Sequence, residues 1–380
     1  MRQNARFSCN KISICHFLCF LLCFFFITGC ETKTGNVDHN KENQKKANQS
    51  EKSLSSVHSI TLTGNEFFER SIDWLDDERL LFLASDGANS FLRSFYLFNG
   101  KIENILEIDG PIFDVSLDPT RKYLLIVQSP VANQMEISIF TVEGKKIYSA
   151  TLPGVDLIHE WNYHEDGKVF VSSFYEDWTF RSYIINVTTN ELDEYEIDHP
   201  FARWMGKEKL SYINWDMDNP SISAPLMSIN RSGEKTKLLD SVVAFNVNKN
   251  VIVTVNEDYN QESAAFKIFD RSLLELASFS LPVLKGYSEW MVPFIEINES
   301  KKEIITLAPY KTALADTYKE SFSLIQLNWQ DGKKKVILDQ VGFSNIACTP
   351  NWVLCLIGEQ METVVDINQG DQRKLYLDKH

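Results

Sequence analysis

The folded part of this 380-residue chain is almost without cysteine. Cys9, Cys15, Cys19 and Cys23 crowd the N-terminus and Cys30 follows them, so only Cys348 and Cys355 remain beyond it. That excludes a disulfide-dense scaffold, and no Cys/His cluster has zinc spacing. A two-residue hairpin loop at Pro350-Asn351 pairs position 348 with 353, which predicts two buried, diagonal thiols rather than a bridge. Basic charge is short: 38 Lys+Arg against 52 Asp+Glu, a net −14. An acidic body excludes nucleic acid as a partner and disfavours an anionic lipid surface. There is no GxSxG elbow, no P-loop and no GxGxxG opening a helix, and no segment shows capped helical periodicity. No catalytic residue, cofactor or resident metal is expected.

One long apolar run is present, and it is short for a membrane span: "ISICHFLCFLLCFFFI", preceded by Arg2, Arg6 and Lys11. It ends in Ile27-Thr28-Gly29-Cys30, which resembles the lipobox of bacterial lipoproteins. The resemblance implies cleavage after residue 29 and diacylglycerol on Cys30, a membrane anchor on the extracytoplasmic side. Without the three basic residues of the leader, Lys+Arg falls to 35 against 52 and the mature charge is −17. Residues 30–56 then form a tether of Asn, Lys, Gln and Ser, with too little apolar surface to fold and a reach of roughly 25–30 Å. The folded domain is expected over 57–380.

That domain repeats. Seven segments combine a short strand, a polar turn and an apolar strand: they begin "SIDWLDDERLLFLAS" and "FDVSLDPTRKYLLIVQS" and end with "NIACTPNWVLCLIG". Each is followed by a second hairpin whose turn centres on Gly, Asn or Asp, as in "FYLFNGKIENILEI". A unit of four strands recurring roughly every 45 residues is the signature of a β-propeller. Seven blades of four antiparallel strands are predicted, with six or eight left open by a further strand-like stretch at Leu54–Leu62 that is placed to complete the last blade. Trp215-Asp216 is a WD dipeptide in the wrong place for a WD40 repeat. "LDPTRKYLLIV" instead resembles the Asp-Pro-Asp-Gly-Lys turn of TolB- and YVTN-like propellers, with Thr120-Arg121 in place of Asp-Gly. Lipobox, tether and propeller together resemble the YqgU-like propeller lipoproteins of Gram-positive bacteria. That family's domain is described as six-bladed, and the resemblance implies no enzymatic activity.

In a propeller the strands of a blade run outward from the channel as a, b, c and d. The d–a and b–c connections share one face, here the loop face; the a–b and c–d turns share the other, the turn face. The b–c loops are long and carry aromatics and carboxylates, which places binding on the loop face. Residues expected there are Arg70, Asp114, His159, Glu160, Arg203 and Trp290 at the channel mouth, with Tyr175, Trp178, Trp215, Asp216, Tyr259, Tyr310 and Tyr318 in the loops. In "HEWNYH" (159–164) the two histidines are five apart on one strand, roughly 16 Å, so no single metal takes both. The expected function is a membrane-tethered binding or scaffold protein with an envelope protein or cell-wall partner. A hydrolase or lyase of envelope polysaccharide, with its site at the channel mouth, is the alternative, and a structural subunit of an envelope complex is a third.

Overall fold

The structure, a computed structural model, describes residues 54–216, 218–219, 221–258, 263–286 and 290–376. The leader, Cys30, most of the tether and Tyr259 lie outside the described residues.

All fourteen predicted hairpins form, and they assemble seven four-stranded antiparallel sheets over residues 67–109, 114–153, 156–194, 203–242, 244–281, 295–341 and 347–374. In each sheet the strands lie in chain order. The seven-bladed β-propeller stands. A small extra sheet joins Leu284–Lys285, Trp290–Met291 and Ala313–Leu314 between the fifth and sixth blades.

Burial follows position in the blade. Strand b of blade 3, Lys168–Phe174, is buried on both faces because neighbouring blades cover it, and it reads as an uninterrupted run. Outermost strands such as Lys334–Val341 are largely exposed. The core therefore lies between blades. Leu125, Val127, Ile137 and Ile139 of blade 2, for example, pack on Trp161, Val169 and Val171 of blade 3.

The a–b turn of blade 2 shows how the polar punctuation works. Asp118 is buried, and its carboxylate accepts the N–H groups of Thr120, Lys122 and Tyr123 and the Thr120 hydroxyl. Arg121 occupies the left-handed position of the turn at φ 58°, where glycine is ordinarily cheapest. Its Nε donates to the Trp74 carbonyl of blade 1 at 2.9 Å, an inter-blade bond that glycine could not make.

Two expectations are corrected here. The stretch before the first blade forms a single 3-10 turn, Leu54–Ser56, and then no strand. The last blade takes all four of its strands from the C-terminal end. Residues 57–62 instead seal the joint between the last and first blades: the His58 N–H donates to Leu97 and the Ile60 N–H to Leu375, with Val57, Ile60 and Leu62 buried beneath. Second, Cys348 and Cys355 are joined as a disulfide. The hairpin loop has four residues, not two, because the Thr349 N–H bonds to the Leu354 carbonyl. That places 348 directly opposite 355. A change of two residues in loop length is enough to turn a diagonal pair into a facing one.

Candidate functional site: the channel and the loop face

Strand a of each blade starts on the loop face and ends on the turn face, and alternate side chains point into the channel. Asp114, at the head of its strand, ties three blades together: its carboxylate lies 3.9 Å from the Arg70 guanidinium of blade 1 and 3.7 Å from His159 Nδ1 of blade 3. Glu160 pairs with Arg203 of blade 4 at 3.2 Å. These five sequence-predicted residues are thus brought together around the channel, Asp114 half exposed and His159 nearly covered. The sixth, Trp290, is not among them. It belongs to the small extra sheet rather than to strand a, which starts at Ile295, and it is buried between blades 5 and 6 under Lys285. The 13-residue d–a connection of blade 5 hid this, because its own short strands mimic a strand a.

A cavity of about 610 Å3 fills the channel, lined on the inner strands by Asp73, Ser116, Glu160, Arg203 and Glu296 and at the a–b turns by Arg121 and Tyr163. The lining places it toward the turn-face end, with His159 of the Arg70–Asp114–His159 contact also on its wall. Its acids have little bulk water. Burial pushes the Glu160 carboxyl up, and Arg203 partly restores it. Burial also raises Asp73, against the Trp74 N–H and Arg121. Glu296 is pushed up to about 8 by burial and by Asp73 beside it. Burial likewise raises the Tyr163 phenol.

Burial lowers His159, which is neutral at pH 7, and Asp114 opposes the shift. Its Nε2 meets Ser116 Oγ at 2.6 Å, which resembles a base beside a nucleophile. Ser116 Oγ also accepts the Trp161 indole N–H at 2.9 Å. Bonded to both His159 and Trp161 of blade 3, the hydroxyl serves as an inter-blade bracket. The same bracket recurs at the end of strand a elsewhere, where Trp204 Nε1 donates to the Glu160 carbonyl and Trp74 Nε1 to Ala347. His164, the other histidine of "HEWNYH", lies on the turn face with its Nε2 2.5 Å from Arg271.

The loop aromatics divide. Tyr310 donates to Asp339 and Tyr318 to the Ser321 carbonyl, and Tyr318 also packs edge-on against Phe322. Trp215 packs beside Ile213 and Leu226, and Asp216 caps the N–H groups of Asp218 and Asn219. These residues hold their own loops. Trp178 does not: it is 81% exposed and sits at φ 64°, an uncommon conformation for a bulky side chain. It stands beside Tyr175, which lines a cleft of about 670 Å3 between blades 2 and 3 with Asn133, Val155, Glu176 and Arg181.

A further feature of the loop face belongs to no motif. Phe67, Phe113, Val155, Phe201 and Phe294 each stand at, or one or two residues before, the start of strand a in blades 1, 2, 3, 4 and 6. All are between 44% and 59% exposed. Five exposed apolar side chains near the heads of the innermost strands form a broken ring on the loop face, Phe201 resting against Phe174 and Phe294 against Phe343.

A family described as the YqgU-like 6-bladed beta propeller domain matches residues 96–358, well over half of the chain. The chain belongs to the YqgU-like propeller family. The matched part begins at the end of strand c of blade 1 and stops just after strand b of blade 7, so this YqgU-like ring is larger than the matched region. Among its relatives is the "Uncharacterized lipoprotein YqgU" of Bacillus subtilis (strain 168), 21% identical over 371 residues, 97% of this chain and 98% of that protein. A crystal structure of the uncharacterized protein lmo1340 from Listeria monocytogenes EGD-e superimposes with a TM-score of 0.76 at 20% identity, covering 84% of this chain and 97% of that one. The β-propeller domain of the Trilobed protease from Pyrococcus furiosus, described as having an open velcro topology, shares the fold at a TM-score of 0.53 and 12% identity, over 82% and 98%.

Proposed function

We propose that this YqgU-like chain is a lipid-anchored binding protein of the cell envelope that holds a partner on its loop face. The carrying observation is the apolar ring of Phe67, Phe113, Val155, Phe201 and Phe294. Scattered exposed apolar residues need no explanation, but five gathered at the loop-face heads of the innermost strands form a patch of the kind that marks an interaction site. Trp178, exposed in a backbone conformation it adopts at a cost, extends that surface outward. The lipobox at Cys30, the polar tether and a relative named as a lipoprotein support the anchor. A rigid ring on a flexible leash can present one face in any orientation and needs no chemistry of its own.

Two experiments test the two halves. Cys30→Ala in the full chain should abolish acyl labelling and move the protein out of the membrane fraction; a labelled, membrane-bound variant would overturn the anchor. Paired Phe113→Ser and Phe201→Ser substitutions should cut the yield of a partner cross-linked to the native protein by about tenfold or more, the scale of losing two central apolar contacts. Arg231→Ala, on the turn face of blade 4, should change nothing. A partner equally depleted by both changes, or by neither, would sink the loop-face reading.

A further inference from the structure

Resting on that reading, we infer that the partner on the loop face is a protein whose contact surface is basic, with apolar side chains at its centre that seat on the ring. The electrostatics of the face carry this step. The described residues of the b–c loops contribute Asp86 in blade 1, Glu176 and Asp177 in blade 3, Asp216 and Asp218 in blade 4 and Asp258 in blade 5, and no lysine or arginine in those four blades. In blade 6, Lys311 is tied to Glu320, and the exposed Lys319 is balanced by the exposed Asp316. The centre of the face is apolar and its surround is acidic.

Complementary potentials steer encounter and suppress wrong partners, because like charges brought together are costly. A second copy of this chain docking face to face would place acid on acid around the ring. An anionic bilayer meets the same repulsion. The chain's own N-terminal segment does not fit either. The described chain begins beside the turn face, where the Arg373 guanidinium donates to the Leu54 and Ser55 carbonyls and the His58 ring lies against Gly100 of the blade 1 c–d turn. Residues 31–53 also contain no aromatic side chain with which to fill the ring. What remains complementary in both charge and apolarity is a basic protein surface. It would be steered by the acidic loops and seated on Phe113, Phe201 and their equivalents, with Trp178 at its edge.

The test uses the full, lipidated chain in its native membrane with a photoreactive benzoylphenylalanine in place of Phe201, and in a control in place of Ser232 on the turn face. Irradiation should give a discrete adduct with a different protein from position 201 and not from 232, and the cross-linked peptide of that protein should be rich in Lys and Arg. Joint replacement Glu176→Lys, Asp218→Lys and Asp316→Lys inverts three exposed charges and should lower the adduct yield about tenfold, as should raising the salt to 1 M, where the Debye length shrinks to about 3 Å. An adduct that survives both changes undiminished, or that joins the probe to an acidic protein, a lipid or a second copy of the chain, overturns the basic-partner inference and leaves a loop-face site in place. No adduct from 201 above the level from 232 overturns the loop-face reading with it.

Discussion

Replacing Trp74 by alanine should lower the unfolding free energy by about 4 kcal/mol, and the loss should appear first as an opening between blades 7 and 1. Trp74 is fully buried at the end of the innermost strand of blade 1, and its indole N–H donates to the Ala347 carbonyl of blade 7 at 2.9 Å. Truncation leaves a cavity and removes a buried hydrogen bond across the seam, each of which costs free energy separately. Its position matters as much as its size. Between other neighbouring blades the chain itself runs across the joint, but the first and last blades are held only by packing and by hydrogen bonds. Among the described residues, blade 7 borrows no strand from the N-terminal side. One apolar cluster spans the seam: Phe68, Leu80 and Phe82 of blade 1, Leu354, Leu356 and Val364 of blade 7, and Val57, Ile60 and Leu62 wedged between.

Trp204 is the control. It is equally buried and makes the same kind of bond, to the Glu160 carbonyl, but between two blades in the middle of the chain. Trp204→Ala should cost a similar amount in a urea melt. Amide exchange should differ. Trp74→Ala should speed exchange selectively in 57–85 and 347–375, whereas Trp204→Ala should leave those segments protected until global unfolding. A Trp74→Ala protein that loses less than about 1 kcal/mol, or that exchanges uniformly, would show that the seam is not the weak joint.

Much of this architecture was readable before any coordinates, because its information is local. Alternating or apolar runs separated by Gly, Asn and Asp turns specify hairpins, and a recurrence of about 45 residues specifies blades. Register depended on finer detail. The length of the turn after Thr349 decides whether Cys348 faces Cys355, and no propensity separates a two-residue loop from a four-residue one at "TPNW". Trp290 was misplaced because the long insertion before blade 6 contains a strand pair of its own. At the candidate site, the grouping of Asp114, His159, Glu160 and Arg203 followed from the repeat alignment, but the ring of Phe113 and its equivalents did not. Those residues belong to no motif, and their exposure is decided by how far each d–a connection stands above the sheet. The raised channel acids were illegible for a related reason. Asp73, on strand a of blade 1, looks like any strand carboxylate until blade 6 places Glu296 beside it.

That pair gives the second large effect: Glu296→Gln should raise stability at pH 9 by about 2–4 kcal/mol while changing little at pH 5. The folded-state carboxyl of Glu296 is pushed up to about 8 from an ordinary 4.5. Between those values the folded protein holds a proton that the unfolded chain has released. The stability this contributes is fully present below pH 4.5 and is lost progressively as the pH rises through 8. The full shift corresponds to nearly 5 kcal/mol at 1.36 kcal/mol per unit, reduced here because Glu296 is only half-buried. Asp73, raised by its own burial, acts in the same direction. His159 has the opposite sign: burial lowers it, so its contribution is lost on the acid side, as the pH falls below 6.5. The native protein should therefore lose stability in urea as the pH rises from 6.5 to about 8; Glu296→Gln should flatten that limb and steepen the fall on the acid side between 4.5 and 6.5, where Glu296 and His159 now oppose each other. Glutamine can still accept the Cys348 N–H that Glu296 accepts now, so the change isolates the charge. An alkaline limb of equal slope in the native protein and the variant would mean that Glu296 ionises freely in the channel, and that the cavity is wet enough to solvate a carboxylate.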